Sequence, residues 1–132
     1  MEIKTEIIPS KEELIRLYDD VGWTAYTDDP DLLVKAIKNS LKVWTLWDGE
    51  DLIGLARTVG DGATICYVQD LLILEAYQGE GLGSKLLDEI KRDNADIRQF
   101  VLLTEDIEKN RNFYKKLGLI PVSDADCISF MW

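Results

Sequence analysis

A glycine-rich turn between an apolar run and an amphipathic segment is the feature that most constrains this chain. The residues from Val68 to Leu87 read VQDLLILEAYQGEGLGSKLL. The run Leu71–Leu74 is short, continuous and apolar, as expected of a buried strand. After the glycines, apolar residues recur at the spacing of one helix face: Leu82, Leu86, Leu87 and Ile90. Because a helix start offers unpaired N–H groups and the positive end of its dipole, this unit is a candidate phosphate-binding site.

The spacing of the glycines argues against two common nucleotide-binding motifs. A P-loop needs Gly-x-x-x-x-Gly-Lys-Ser/Thr, but the position of its second glycine is occupied here by Ser84. A dinucleotide fingerprint beginning at Gly79 also needs glycine or alanine at Ser84, and it should open a long doubly wound domain. A structural alternative remains open at this point, in which the glycines only allow tight packing of a strand-to-helix turn.

The hexapeptide Gln78–Gly83 (QGEGLG) fits the pattern Gln/Arg-x-x-Gly-x-Gly/Ala directly after the predicted strand. It resembles the acyl-CoA-binding signature of the Gcn5-related N-acetyltransferases (GNATs). The segment Asn112–Leu119 (NFYKKLGL) resembles the family's C-terminal element, in which a helix carrying Phe-Tyr ends at a glycine before the next strand. Gly118 suits the residue that follows a helix C-cap. The resemblance extends from about Lys4 to Trp132, although only these two segments are specific.

The composition is that of one globular domain covering residues 1–132. Of these residues, 46% are hydrophobic and 30% are charged, and a chain of this length can bury a sizeable core. No apolar run approaches the roughly 20 residues of a membrane span. The N-terminal sequence MEIKTEIIPS lacks the basic and apolar regions of a signal peptide. We therefore expect a cytoplasmic protein without a membrane partner.

The net charge, the absence of histidine and the two cysteines limit the ligands and reactions that this chain can support. The formal net charge of −10 argues against nucleic-acid binding, and it is compatible with cationic substrates such as amines. The chain has no histidine, which removes the commonest metal ligand and general base. We expect no metal, and proton transfer by carboxylates, tyrosine, lysine or water. Cys66 and Cys127 are expected to be buried free thiols, since disulfides are rare in the cytosol.

The remaining patterns predict an α/β fold with a mixed, mostly antiparallel sheet of about seven strands and helices on both faces. Ser10 and Glu13 form a capping box for a first helix, and Asp29 with Pro30 begins a second. Strands are predicted at Ile3–Ile8, Lys42–Trp47, Asp51–Val59, Gln99–Thr104, Leu119–Ser123 and Cys127–Trp132. The turn Gly60–Gly62 introduces a further strand, which runs to Leu74. Further helices are predicted at Gly81–Asn94 and Ile107–Leu117. The order β-α-α-β-β-β-α-β-α-β-β matches the acetyltransferase fold that the resemblance implies.

The resemblance also implies a map of acetyl-CoA, the expected co-substrate. Backbone N–H groups of the glycine turn would bind the pyrophosphate, with Gln78 at the start of the turn. The pantetheine arm would make strand-like hydrogen bonds along the preceding strand, and a backbone amide there would polarise the thioester carbonyl. The implied cofactor-binding residues are Leu71, Leu72, Ile73, Gln78, Gly79, Glu80, Gly81, Leu82, Gly83 and Ser84.

Two residues are candidates for proton transfer when a neutral amine attacks the thioester. Tyr114 is the candidate for protonating the leaving thiolate, because a phenol stays protonated at neutral pH. Asp70 is the candidate base, since a carboxylate in an apolar strand accepts protons more readily than one in water. Glu105, Asp106 and a chain of waters are rivals. The alternative for Asp70 is a structural carboxylate that hydrogen-bonds neighbouring backbone.

The chain departs from the family's pattern where many members have a cofactor-contacting asparagine seven residues before the tyrosine. That position is Ile107 here, so Asn110 is not assigned a cofactor role. A non-catalytic CoA-binding or protein-interaction module therefore remains the alternative to an N-acetyltransferase.

The amine acceptor, a small molecule or a protein, would meet the loop between the first two helices. Trp23 and Tyr26 could bind its amine by cation–π contact, aided by Asp28 or Asp29, or could anchor the loop to the core. At the other end of the chain, a strand ending Phe130-Met131-Trp132 would offer a surface for pairing protomers, which makes a homodimer a candidate assembly.

Overall fold

The structure, a computed structural model, describes residues 1–132 and contains a five-stranded sheet with five helices. The strands are β1 (Glu2–Lys4), β2 (Lys42–Asp48), β3 (Asp51–Gly60), β4 (Ile65–Ile73) and β5 (Gln99–Leu102). The helices are α1 (Lys11–Asp20), α2 (Thr24–Thr27), α3 (Pro30–Lys38), α4 (Leu82–Asp93) and α5 (Glu108–Lys116). Two 3₁₀ turns, Glu75–Tyr77 and Val122–Ala125, complete the regular structure.

The starts of α1 and α3 form as the sequence predicts. The Ser10 hydroxyl accepts the Glu13 N–H at 3.2 Å, and the Glu13 carboxylate accepts the Ser10 N–H at 2.8 Å, which completes the capping box. Asp29 caps α3 by accepting the Leu32 N–H at 3.2 Å, with Pro30 in the first turn. These contacts satisfy N–H groups that a helix start leaves without partners.

The sheet is mixed, with strand order β1-β2-β3-β4-β5. Neighbours from β1 to β4 are antiparallel, and β5 lies parallel to β4. Every residue of β3 from Leu52 to Thr58 is buried. Since successive side chains point to opposite faces of a sheet, both faces of this central strand are covered. This burial is what the predicted placement of helices on both faces requires.

The expectation of about seven strands and the exact element order are wrong. Leu119–Ser123 and Cys127–Trp132 form no strand, and the first of these segments ends in a 3₁₀ turn. A short helix, α2, adds an element that the sequence pattern does not announce. Because Cys127–Trp132 joins no sheet, Cys127 is exposed, against expectation, whereas Cys66 is buried as predicted and both thiols are free.

The chain divides into two compact units, Met1–Leu102 and Leu103–Trp132. The first holds the whole sheet and helices α1 to α4, with a core centred on large buried side chains such as Trp44, Tyr18 and Leu86. The second holds α5 and the second 3₁₀ turn. None of the helices combines the length and apolar character needed to cross a membrane.

Candidate active site

The glycine turn adopts a backbone conformation that demands glycine. Gly79 has φ of 83° and Gly81 has φ of 79°, both in the left-handed region. A residue with a Cβ pays about 1–2 kcal/mol there. A Cβ built at either position would meet no atom of the chain within 4 Å. The requirement is therefore conformational, and the space beside both glycines is free of the chain's own atoms.

The start of α4 lacks the capping contacts seen at α1 and α3. Gly81 occupies the N-cap, and no side chain accepts a hydrogen bond from the first turn. The first N–H that finds an acceptor within the helix belongs to Lys85, which donates to the Gly81 carbonyl at 3.1 Å. The N–H groups of the residues between, Leu82, Gly83 and Ser84, therefore remain available at the positive end of a twelve-residue helix. Such an arrangement binds anions.

The Gln78 side chain links the glycine turn to the end of β4 through one hydrogen bond, which we call the Gln78 clasp. Its side-chain Nε2 donates to the carbonyl oxygen of Ile73 at 2.9 Å. This bond closes the chain back onto the end of β4 across the intervening 3₁₀ turn. The Gln78 side chain is thus engaged with the protein itself, and it holds the glycine turn beside the strand.

The second half of β4 has one edge without a strand partner. Pairing with β5 extends only from Ile65 to Val68, while pairing with β3 continues to Ile73. The Leu74 N–H donates toward β3, to the Ile53 carbonyl at 2.8 Å. Since backbone groups of successive residues point alternately to the two edges, those of Leu71 and Ile73 point to the unpaired edge. The backbone groups of Leu72 face β3. Of the three residues for which strand-like contacts are predicted, only Leu71 and Ile73 therefore present backbone groups at the unpaired edge.

A β-bulge lies where the pairing with β5 ends. Arg57 is opposite Asp70 and Thr58 is opposite Val68, which leaves Gln69 as an extra residue in β4. A bulge of this kind bends the strand and re-aims side chains. Here the side chains of both Gln69 and Asp70 reach the hydroxyl of Tyr26.

Asp70 is the centre of a buried hydrogen-bond network. Arg57 Nε donates to Asp70 Oδ2 at 2.5 Å, and the Tyr18 hydroxyl donates to the same oxygen at 2.9 Å. The Tyr26 hydroxyl donates to Asp70 Oδ1 at 2.8 Å. The side chains of Asp70 and Arg57 are only 2% and 8% exposed, so this is a buried ion pair with additional donors.

The network keeps both tyrosines as neutral donors. Burial, followed by the negative charge of Asp70, raises the pKa of the Tyr18 hydroxyl far above its usual value of 10.0. The same two causes raise the pKa of Tyr26. Burial opposes the charge on Arg57, but its hydrogen bond and attraction to Asp70 prevail and raise the pKa of the guanidinium.

This geometry bears on the prediction of Asp70 as the base. Both of its carboxylate oxygens already accept bonds, and one faces a guanidinium. The arrangement resembles the structural alternative, although the bonds come from side chains of other elements and not from neighbouring backbone. A direct role of Asp70 in deprotonation stays a prediction.

Three aromatic side chains from α1, the start of α2 and α2 itself pack against one another at this network. Ring centroids lie 5.9 Å apart for Tyr18 and Trp23, 5.2 Å for Tyr18 and Tyr26, and 6.2 Å for Trp23 and Tyr26. Trp23 therefore contacts the buried Tyr18, as expected of a residue that anchors the loop. Of the two nearby carboxylates, Asp29 caps α3 and Asp28 is exposed.

The second unit contains the other proton-transfer candidates. Tyr114 is half-buried in α5, and its pKa is raised by burial, partly offset by a hydrogen bond with Thr104. Asp106 accepts two bonds from Arg111, at 2.5 and 3.1 Å, which lower the pKa of its exposed carboxyl. Glu105 is exposed. Asn110 donates to the Glu105 carbonyl at 3.2 Å, so it supports the entry to α5, and Ile107 is exposed.

Sequence reasoning missed three members of the Asp70 network: Arg57, Tyr18 and Gln69. Arg57 carries a visible signal, because a charged residue within the apolar run of β3 needs a buried partner. Its pairing with Asp70 depends on a register that a bulge shifts by one residue. Tyr18 reads as an ordinary apolar-face residue of α1, and no local pattern marks Gln69.

Comparison with known proteins shows to which family the chain belongs. The family profile described as "Acetyltransferase (GNAT) domain" matches residues 39–119. An uncharacterized N-acetyltransferase ycf52 of Pyropia yezoensis is 34% identical over 121 residues, which cover 86% of this chain and 66% of that protein. The chain thus spans just under two thirds of the length of this relative.

Solved structures share the fold over nearly the full chain. A GNAT-family acetyltransferase from Streptococcus pneumoniae TIGR4 superposes with a TM-score of 0.88 at 37% identity, covering 99% of this chain and 96% of its own. An aminoglycoside 6'-N-acetyltransferase complexed with coenzyme A has a TM-score of 0.77 over 89% of this chain and 84% of its own. At 18% identity, this second likeness shows the fold alone. With a family profile across more than half of its length and a pneumococcal relative matched end to end, the chain belongs to the GNAT family of N-acetyltransferases.

Proposed function

We propose that this protein transfers an acetyl group from acetyl-CoA to a primary amine of a small molecule or protein, by direct attack in a ternary complex. The observation that carries the proposal is that two sets of backbone groups without a partner in the sheet or the helix follow one another along the chain. The unpaired edge of β4 at Leu71 and Ile73 leads through the Gln78 clasp to the uncapped start of α4. A ligand with an anionic end and an amide-bearing arm fits this sequence of groups.

The two parts of the site suit different parts of coenzyme A. The N–H groups of Leu82–Ser84 offer a local positive potential to a pyrophosphate in a chain whose net charge is −10. The backbone groups of Leu71 and Ile73 suit the amides of an extended arm, which would bind as an added strand. The carbonyl of Ile73 already accepts from Gln78, which leaves its N–H for such a ligand.

Acetyl-CoA would supply an activated acyl group as its thioester. In the overall transfer, the amine nitrogen bonds to the acetyl carbon, the carbon–sulfur bond breaks, the amine loses a proton and the thiolate gains one. We propose Tyr114 as the donor of the thiolate's proton, since its raised pKa keeps it a phenol at neutral pH. Removal of the amine proton is left to Asp70, to Glu105 or Asp106, or to water.

Acetyl-CoA should stabilise the folded protein. At a concentration of about 100 times Kd, a ligand that binds only the native state adds about 2.7 kcal/mol to the free energy of unfolding. For a chain of this size we expect the melting temperature to rise by on the order of 10 °C. Thermal unfolding with acetyl-CoA, with CoA and with ATP is the measurement. An equal response to ATP, or none to millimolar acetyl-CoA, would contradict the proposal.

Catalysis is tested by acceptor-dependent release of the CoA thiol. Butylamine, putrescine, glucosamine and a lysine-containing peptide are incubated with acetyl-CoA and purified protein, and free thiol is compared with the background without acceptor. Turnover with any of these amines supports an acetyltransferase. Stabilisation by acetyl-CoA without amine-dependent thiol release across a wider panel would favour the non-catalytic module.

The assignment of Tyr114 makes a separate prediction. Tyr114→Phe should lower kcat by roughly 100-fold, the scale of general acid catalysis, while stabilisation by acetyl-CoA persists. Tyr67→Phe is the control, because Tyr67 lies in β4 and has no assigned role. An unchanged kcat in Tyr114→Phe removes Tyr114 from the mechanism.

A cytoplasmic location and a homodimer also belong to the proposal. Measurement of the protein's size in solution tests the homodimer.

A further inference from the structure

Gln69 is an exposed residue whose side-chain amide is bound to the protein at one end only. It is the extra residue of the bulge in β4, and its Nε2 donates to the Tyr26 hydroxyl at 3.3 Å. Its other polar atom, Oε1, accepts no hydrogen bond from the chain. Gln69 therefore offers an unused acceptor to a molecule outside the protein.

The hydrogen bonds of Tyr26 fix which end of the Gln69 amide faces away from the network. Asp70 is paired with Arg57, and an ionised carboxylate can only accept, so the Tyr26 proton is committed to Asp70 Oδ1 at 2.8 Å. Arg57 also hydrogen-bonds to the Tyr26 oxygen, which leaves this hydroxyl fully engaged. Because the Tyr26 oxygen can only accept from Gln69, the amide presents its NH₂ group to Tyr26, and Oε1 is turned away.

The position of Gln69 along β4 indicates which donor can reach Oε1. A ligand arm running from the start of α4 along the unpaired edge passes Ile73 and then Leu71. Gln69 is the next residue along this edge before the pairing with β5, which ends at Val68. The far end of the arm, which carries the thioester in acetyl-CoA, would therefore come to Gln69. A thioester has no N–H to donate, whereas the primary amine that attacks it does.

We propose that Gln69 binds the amine acceptor by accepting, at Oε1, a hydrogen bond from the attacking primary amine, and that Tyr26 holds Gln69 for this role. The inference rests on the proposed function. An amine bound in this way gives one N–H to the amide oxygen and keeps its lone pair free to attack. Gln69 contacts the substrate, whereas Tyr26 acts through Gln69 and is a positioning residue.

Gln69→Leu removes the acceptor oxygen and keeps a side chain of similar bulk. The probe is the amine that releases CoA thiol fastest in the panel above. We expect its KM to rise about 10-fold, the scale of one hydrogen bond, because the bond is made in both bound substrate and transition state. The kcat should change less than twofold, and the KM for acetyl-CoA should not change. Since Gln69 is exposed, the free energy of unfolding should stay close to that of wild type.

Three results of this experiment would overturn the role of Gln69. They are an unchanged KM for the amine, a loss in kcat alone, and a rise confined to the KM for acetyl-CoA, which would place the arm of the donor on Oε1. Gln99→Leu is the matched control, because Gln99 is an exposed glutamine at the start of the neighbouring strand β5. Its KM for the amine should stay at the wild-type value, and an equal rise in both variants would also overturn the inference.

Tyr26→Phe tests the positioning role, since it removes the oxygen to which Gln69 Nε2 is bound. We expect the KM for the amine to rise about threefold, less than in Gln69→Leu. The double variant should have the same KM as Gln69→Leu alone, because Tyr26 acts only through Gln69. An unchanged KM in Tyr26→Phe, or a further rise in the double variant, overturns the role of Tyr26.

Thermal unfolding with acetyl-CoA separates this inference from the proposed function. Each variant should gain as much stability from acetyl-CoA as wild type does, which shows that the donor site is intact. If the wild-type protein neither gains stability from acetyl-CoA nor releases thiol, the proposed function itself fails. Wild-type turnover with an unchanged KM for the amine in Gln69→Leu refutes the role of Gln69 alone.

Discussion

The two ends of the unpaired stretch of β4 differ in kind: one presents backbone groups and the other a network of side chains. At its carboxyl end, the glycine turn and the start of α4 present backbone N–H groups, and only Gln78 contributes a side chain. At the bulge, the Asp70 network consists of side chains from α1, α2, β3 and β4. The first region depends on backbone angles, whereas the second depends on the identity of each residue. Substitutions should therefore affect the two regions by different rules.

The largest effect is expected from Asp70→Ala. It leaves the guanidinium of Arg57, whose side chain is only 8% exposed, without its charged partner. Breaking one side of a buried ion pair costs about 3–5 kcal/mol. Urea unfolding measures the change in the free energy of unfolding. Asp106→Ala is the control, because it removes the exposed ion pair with Arg111 and should leave stability close to wild type. A cost below about 1 kcal/mol for Asp70→Ala would mean that the network adds little to the fold.

A smaller loss of stability is expected at Gly81, and its size should depend on which residue replaces the glycine. Gly81→Val places a β-branched residue at φ of 79° and should cost about 2 kcal/mol. Gly81→Asn should cost less than half as much, because asparagine tolerates the left-handed region. Urea unfolding of both variants gives the order. Since no atom of the chain would meet the new Cβ, equal costs for the two residues would show that backbone conformation is not what requires glycine.

The Gln78 clasp should give a still smaller effect. Gln78→Ala removes the 2.9 Å bond to the Ile73 carbonyl and should cost about 1 kcal/mol. Gln99→Ala, at an exposed position at the start of β5, is the control, and its unfolding midpoint should match wild type. If the two variants have the same midpoint in urea, the glycine turn keeps its place without any side-chain contribution.

Much of the fold could be predicted because the signals are local. The capping box at Ser10, the start of α3 at Asp29 and the strand–turn–helix unit around Gly79 each depend on neighbours within a few residues. The segment Cys127–Trp132 shows the limit of this reasoning. Its apolar pattern indicates a segment able to pair, but a strand exists only where another strand meets it, and sequence spacing carries no information on that partner.

The site could be predicted in its backbone-built half and not in its side-chain half. The glycine motif is contiguous, so it locates the start of α4 directly. Asp70 receives its bonds from residues 13, 44 and 52 positions away in the chain. One of these pairings also depends on the bulge at Gln69. Periodicity predicts which residues share a face of one element, and it does not predict which elements bring their polar side chains together.

The last prediction concerns an effect that is absent at neutral pH and grows in alkali. The pKa of Tyr18 is raised in the folded protein above the 10.0 of an exposed tyrosine. Below about pH 10 both states hold this proton, so its contribution to stability is constant. Above that pH the unfolded chain loses the proton first, and the free energy of unfolding falls by up to about 1.4 kcal/mol per pH unit for this one group.

Tyr18→Phe removes this loss, so the stability of the variant should decline less steeply with pH than that of wild type. Urea unfolding between about pH 9 and 11, around the ordinary tyrosine pKa of about 10, measures both slopes. The slopes are compared because Tyr18→Phe also removes a donor to Asp70 and lowers stability at every pH. The other titrating groups are common to both proteins, so identical slopes would mean that Tyr18 ionises in the native state and is not held by the network.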